Sequence, residues 1–208
     1  GVGTLTKLIA PKVKKLYVIE KDISLKPYLD KINNIDITYG SCLDVSFPKV
    51  DKIITSLPYS IIEPFIYKII HEDFKELYMI MGKNYCDNVI NHKITNLGLL
   101  TNIYFDVTKY FDIYPTSFDP KPRVVSSLIK LTFKNKLDEK DMIFRNMYKL
   151  NDKLVKNGLM ESLINVKGLT KRESREYIGK MEINSEILNK KFGMLSNSEL
   201  KSLYDKIM

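Results

Sequence analysis

The 208-residue sequence has no tryptophan, two cysteines, two histidines and nine glycines. Cys42 and Cys86 are too few for a disulfide framework or a structural zinc site. His71 and His92 add too few ligands for a metal enzyme, so no metal is expected. No apolar run approaches the roughly 18 residues that a membrane-spanning helix needs. The cysteine usage reads as a reduced, intracellular protein, and a cytoplasmic location is expected. A usual beginning is missing too. Gly1-Val2-Gly3-Thr4-Leu5-Thr6 carries no initiator Met, charged leader or signal-peptide pattern. A glycine-spaced turn of this kind follows a buried strand, so an N-terminal segment holding that strand is expected to have been lost.

What is present is a globular composition, with 44% hydrophobic and 28% charged residues. The length suits one large domain, or a medium domain with a small appendage. Lysine and arginine number 33 against 25 acids, a net charge of +8. Residues 1–120 hold 14 basic and 14 acidic side chains, and residues 121–208 hold 19 and 11, so the whole excess lies in the last part. Lys121 to Lys134 alone carries four basic residues and no acid. Charge of this kind fits a surface that meets nucleic acid phosphates. It fits equally a solvated lysine-rich face.

The first 134 residues alternate helix and strand signals. Thr4–Val13, Ile23–Ile32 and Ser60–Ile70 read as helices. Leu16–Ile19, Ile35–Tyr39, Lys52–Leu57 and Leu77–Met81 read as short strands. That alternation predicts βαβ units and a parallel sheet. Val107–Tyr114 and Val124–Phe133, joined by the turn-rich Pro115–Pro122, predict an antiparallel pair at a sheet edge. After Asn135 only helical spacing remains, over Glu139–Leu150, Lys153–Ile164, Lys171–Gly179 and Ser196–Ile207. A boundary near Lys136 would separate residues 1–135 from a helical module of residues 136–208. A module of that size is expected to pack on the first domain.

Three segments could carry chemistry. Gly1-x-Gly3, with Glu20 ending the next strand, is a nucleotide-site arrangement: glycines admit a ligand to the backbone, and a strand-tip carboxylate can take ribose hydroxyls. A structural turn plus a surface Glu is the alternative. Ser56-Leu57-Pro58-Tyr59 follows a buried strand at the carboxyl edge, where open α/β sheets bind ligands. A polar residue, a proline-stiffened turn and an aromatic suit methylation of a planar exocyclic amine. A plain strand end with a buried Tyr is the competing reading. Phe118-Asp119-Pro120-Lys121-Pro122-Arg123-Val124 is a proline-fixed loop with a basic pair, either a rigid connection or a second aromatic wall beside a phosphate-binding rim.

Together these segments resemble the adenine-N6 dimethyltransferases of small-subunit ribosomal RNA and their macrolide-resistance relatives. Gly1 to Thr6 is similar to the second half of that family's "GxGxGxLT" loop, and Val18-Ile19-Glu20-Lys21-Asp22 to its ribose-binding strand end. Ser56 to Tyr59 is similar to its "NLPY" motif, and Phe118 to Leu131 to its closing hairpin. The resemblance implies a Rossmann-like S-adenosylmethionine-dependent methyltransferase domain, α/β in class, with a small C-terminal all-helical domain that binds RNA. It implies S-adenosylmethionine as donor and N6 of rRNA adenines as acceptor, within a pre-30S-type ribosomal particle, and a monomeric enzyme of ribosome biogenesis. Gly1 and Gly3 would line the methionine end of the donor, Glu20 its ribose, and Ser41 and Cys42 its adenine, with Lys21 and Ser56 also among the donor-binding residues. Ser56 and the Leu57 carbonyl would hold the target amine, with Pro58 stiffening the turn and Tyr59 and Phe118 on either side of the base. Lys121, Arg123, Lys130, Lys153 and Lys156 would meet rRNA.

Four departures stand beside these matches. Ser56 replaces the family's Asn, and Ser41 its adenine-reading Asp. Gly82-Lys83-Asn84 replaces "QKE", and the Arg-rich stretch has thinned to Lys153-Leu154-Val155-Lys156-Asn157. Loss of the Ser41-position carboxylate predicts a donor contact weaker by roughly 1–3 kcal/mol if that contact is buried. The alternative these departures raise is a ribosome-assembly or RNA-binding factor of the same fold with weak or lost transfer. A methyltransferase acting on DNA or another RNA is a third reading.

Overall fold

The computed structural model describes residues 1–207. Its first stretch runs α1 (Thr4–Ile9), β1 (Leu16–Glu20), α2 (Lys26–Leu29), β2 (Ile35–Tyr39), β3 (Lys52–Ser56), α3 (Ile62–Ile69), β4 (Glu76–Gly82) and α4 (Lys83–Ile90). It continues with α5 (Asn96–Tyr104), β5 (Phe105–Ile113), β6 (Ser126–Phe133), α6 (Glu139–Lys149), α7 (Val155–Lys167), α8 (Lys171–Lys180), α9 (Ser185–Leu188) and α10 (Asn197–Lys206). The chain forms two compact units: Gly1–Val50 with Glu63–Asp73, and Asp51–Ile62 with the chain from Phe74 onward.

In the first unit β1 and β2 pair in parallel, from Leu16 opposite Ile35 to Glu20 opposite Tyr39. The Gly40 amide extends the ladder by donating to the Glu20 carbonyl at 2.9 Å. Both carboxyl ends, and with them Glu20 and Ser41, therefore lie at one edge. Asn34, at a φ of 64°, donates from its side chain to the carbonyls of Ala10 and Val13, which ties β2's start to the turn after α1. The helix expected over Ile23–Ile32 is cut short. A 3-10 turn at Ile23–Leu25 is capped by the Asp22 side chain, and Pro27 restarts the chain as a single α-turn.

The second unit holds a four-stranded sheet in the order β3-β4-β6-β5. β3 and β4 are parallel, whereas β6 runs antiparallel to both β4 and β5. The closing pair expected from sequence is present, with β5 at the edge and an irregular register between Lys109 and Phe111. Leu77, Met79 and Met81 of β4 and Ile129 and Leu131 of β6 are buried on one face, the period-2 spacing of a half-buried sheet. Phe74, Phe105 and Phe133 close the lower end of that core, with ring centroids 4.8–6.3 Å apart.

The helical part belongs to this same unit. Ile143, Phe144 and Met147 of α6 and Leu159 and Leu163 of α7 share its core with Leu200 and Leu203 of α10. It packs on the α/β part through α5: Arg145 donates to the carbonyls of Ile103 (2.8 Å) and Tyr104 (3.3 Å), and the Tyr148 phenol to that of Asn96 (2.9 Å). α8 and α10 each open on a reciprocal capping box, Thr170 with Glu173 and Ser196 with Glu199. Thr170→Ala is expected to cost about 1 kcal/mol, read as a lower denaturation midpoint at unchanged slope. No helix among the described residues is long and apolar enough to cross a membrane.

Candidate active site

The first unit carries the candidate donor residues. Gly3 is buried at a φ of 83°, the left-handed region glycine tolerates best. A Cβ there would meet the Ile32 Cδ1 at 2.6 Å and the Leu29 Cδ2 at 3.1 Å, so conformation and space both demand glycine.

Glu20 ends β1 with its side chain 18% exposed. Burial works to raise its carboxyl, but hydrogen bonds from the Asp22 amide (2.9 Å) and the Lys21 amide act to lower it, and the group lies below the usual carboxylate range. An ionised, partly sheltered carboxylate at a strand tip is the acceptor that a ribose diol requires. Lys21, the next residue, is exposed.

Past β2, the Ser41 hydroxyl accepts from the Leu43 amide at 3.1 Å, and its carbonyl accepts from the amides of Asp44 and Val45. Ser41 thus shapes its own loop. Cys42 is half-buried, and burial pushes its thiol up, leaving a neutral, weakly polar wall. Lys68 of α3 holds this loop from below, donating to the carbonyls of Leu43 (3.2 Å) and Val45 and lying 4.5 Å from the Phe47 ring centroid. Sequence reasoning passed over Lys68, because a lysine on an amphipathic helix gives no sign that it caps carbonyls.

The second unit carries the candidate acceptor residues at the carboxyl edge of its parallel strands. Ser56 ends β3 opposite Ile80, is exposed, and its hydroxyl has no partner among the described residues. It is therefore free for a ligand. Leu57 and Pro58 turn the chain, and the Ile61 amide returns to the Pro58 carbonyl at 3.1 Å. Tyr59 is not the buried core residue of the competing reading: its side chain is 42% exposed, and its phenol meets the Ser126 hydroxyl at 2.7 Å. Ser126 opens β6 opposite Gly82, and the Lys83 amide donates to the Val125 carbonyl at 2.9 Å. The segments after β3 and β4 and before β6 are thereby tied into one edge. The loop from β5 to β6 leaves that same edge, because Ile113 pairs with Ser126. It carries half-buried Phe118 and exposed Lys121 and Arg123, whose side chains make no hydrogen bond or ion pair with another described residue.

The other predicted basic residues stand apart from this edge. Lys130 lies four residues along β6 from Ser126, roughly 13 Å at strand rise, with its ammonium 3.8 Å from Glu76. Lys153 is held by both Glu161 oxygens at 2.8 Å, and Lys156 donates to the Asn189 side chain at 2.8 Å.

Behind the edge lies a feature not expected from sequence. Lys83 and Lys109 interleave with Asp87 and Asp112 at 2.5–3.8 Å, and the Ser127 hydroxyl donates to Asp112 at 2.6 Å. The facing lysines hold both carboxyls below their ordinary range, Lys83 foremost for Asp87 and Lys109 for Asp112. Adjacent serines thus serve opposite faces of β6, Ser126 toward Tyr59 and Ser127 toward this cluster.

The family model described as "Ribosomal RNA adenine dimethylase" matches residues 1–193. A Methanococcus maripaludis (strain C7) protein named "Probable ribosomal RNA small subunit methyltransferase A" is 29% identical over all of this chain and 86% of its own length. One of the same name from Methanosphaera stadtmanae is 28% identical, with 98% of this chain and 79% of the relative covered. Among solved structures, a dimethyladenosine transferase from Plasmodium falciparum superposes with a TM-score of 0.62 at 20% identity, covering 98% of this chain and 85% of that one. The 23S rRNA methyltransferase ErmE does so with a TM-score of 0.59 at 16% identity, covering 99% and 87%. These two likenesses show the methyltransferase fold. A family match that runs from the glycine turn through most of the helical module makes this chain a member of the ribosomal RNA adenine dimethylase family.

Proposed function

We propose that this chain dimethylates adenine N6 in small-subunit ribosomal RNA, with S-adenosylmethionine as donor, during assembly of a pre-30S-type particle. The observation that carries this reading is Tyr59, an aromatic on a proline-stiffened turn at the carboxyl edge, exposed on its ring yet fixed at its phenol. A core tyrosine would not be exposed, and a surface tyrosine would not be tied.

When bound, S-adenosylmethionine supplies a methyl group already activated by a sulfonium. The protein is left to bind, orient and exclude water. Gly1 and Gly3 leave the backbone open to the donor's methionine end, ionised Glu20 accepts from its ribose hydroxyls, and the Ser41–Cys42 loop lies against its adenine. The left-handed glycine turn at Gly3 and the ionised Glu20 fit that ligand. Ser56 accepts a hydrogen from the target amine and the Leu57 carbonyl a second, which turns the nitrogen lone pair out of conjugation. Tyr59 and Phe118 flank the base. Lys121 and Arg123, free of partners among the described residues, take phosphates beside it. Lys130, Lys153 and Lys156 belong to the wider rRNA face only if their present partners are exchanged for phosphate. In this reading residues 1–135 form the methyltransferase domain and residues 136–208 an rRNA-binding helical domain, in a cytoplasmic monomer.

The test is label transfer from S-adenosylmethionine into undermethylated small subunits, compared with large subunits and duplex DNA. Incorporation confined to small subunits is expected, and equal labelling of DNA would favour the other substrate class. Lys121→Ala and Arg123→Ala are each expected to weaken small-subunit binding and to lower the slope of log affinity against log salt by about 1.

A further inference from the structure

We propose that Ser126 is a positioning residue for methyl transfer, fixing the plane of the Tyr59 ring through its phenol. The inference rests on the reading of Tyr59 as one wall of the target-base site. Its physical basis is the contrast between the two partners. Ser126 has no exposed surface, so its hydroxyl must find a protein partner, and among the described residues its side chain bonds to the Tyr59 phenol alone. Tyr59 has water available and no need of Ser126 for its own sake. What the bond supplies to Tyr59 is immobility.

A tyrosine ring is set by two torsions. One end is fixed here where the chain turns, by Pro58 and the Ile61 amide on its carbonyl. The other end is fixed by Ser126, 67 residues away in sequence. The anchor is itself rigid. Ser126 is paired across the sheet with Gly82 on one side and Ile113 on the other. Its neighbour Ser127 is bonded to Asp112 within the Lys83–Asp87–Lys109–Asp112 cluster. A ring held at both ends presents one stacking plane, and a base lying on that plane holds its exocyclic amine at one height. Reactions that depend on alignment lose about 100-fold for a misplacement near 1 Å.

The test compares Ser126→Ala, Tyr59→Phe, the double variant and Tyr59→Ala, at saturating donor and rRNA, with donor affinity measured on each. Tyr59→Phe removes the bond from its exposed end but leaves the buried Ser126 hydroxyl unpaired. The denaturation midpoint of each variant is therefore measured beside kcat, and only a loss in folded protein counts. Ser126→Ala and Tyr59→Phe are each expected to lower kcat about tenfold with KM for rRNA within about threefold, as a lost alignment rather than a lost contact. The double variant is expected to be no worse than either single, because both changes delete one bond. Wild-type kcat in Tyr59→Phe, with Tyr59→Ala inactive, would overturn the role of Ser126 and leave that of Tyr59 standing. Additive losses in the double variant would also overturn it. Full activity in Tyr59→Ala would remove Tyr59 from the site, and Ser126 with it.

Discussion

Tyr59→Ala is expected to lower methyl transfer about 100-fold or more while leaving S-adenosylmethionine affinity within about twofold of wild type. The reasoning is geometric. Stacking of a base on an aromatic face is worth about 1–3 kcal/mol, and alignment of the amine with the donor adds a kinetic factor of similar size. Neither is recovered by an alanine. Tyr59 is assigned no contact with the donor, so donor binding is not expected to follow. Single-turnover methylation beside calorimetric titration of the donor separates the two. Retained transfer would place the base elsewhere.

Glu20→Ala is expected to weaken donor binding about 10- to 100-fold, the loss of charge-assisted hydrogen bonds worth ~1.5–3 kcal/mol. It is not expected to lower kcat at saturating donor, since ribose contacts are made equally in ground and transition states. The pH dependence has a definite sign. Although burial opposes it, hydrogen bonds from the Asp22 and Lys21 amides act to depress the Glu20 carboxyl, so the carboxylate persists as pH falls through the ordinary glutamate range. Donor affinity should therefore stay level there and fall only at lower pH, and Glu20→Gln should remove that acid limb. A donor affinity insensitive to Glu20→Ala would remove the residue from the ribose site.

These two residues were legible in the sequence because strand ends are. Glu20 closes the apolar run Leu16–Ile19 and Ser56 closes Lys52–Thr55, and both stand at the ends of β1 and β3. The structure buries no residue of either strand, against the buried strands expected from sequence. Elements whose pattern is set by tertiary burial were not legible. α5 has six of its nine residues buried and carries Gly98 in its first turn, so no amphipathic stripe marks it. Gly98 is there for space: a Cβ would stand 2.7 Å from the Thr95 hydroxyl and 2.9 Å from the Lys93 carbonyl. α4 is marked mainly by residues that look like surface charge, Lys83 and Asp87, whose partners Lys109 and Asp112 arrive only through the β5–β6 register. The same holds at the candidate site. Ser126 lies inside the closing-hairpin motif, yet nothing in the motif says that its hydroxyl meets Tyr59. Lys153 reads as a free cation until Glu161, two turns later, is seen to hold it.

The departures are also clearer in three dimensions. Ser41 uses its hydroxyl on the Leu43 amide and so stands as a loop-former where the family has a reader of adenine. Gly82–Asn84 keeps its place in the edge through the Lys83 amide and side chain. Ser56 keeps an acceptor with no partner among the described residues where the family has an amide. None of the three disrupts the scaffold that carries Glu20 or Tyr59, which favours retained transfer over an assembly factor that has lost it.

The most direct measurement is the identity of the product. The protein is incubated with S-adenosylmethionine and undermethylated small subunits, the rRNA is digested to nucleosides, and methylated adenosines are quantified by mass spectrometry. N6,N6-dimethyladenosine is the expected product, with the N6-monomethyl form appearing only as a transient. Subunits that bind the protein and donor yet yield no methylated adenosine would contradict the assignment and leave a ribosome-assembly factor in its place.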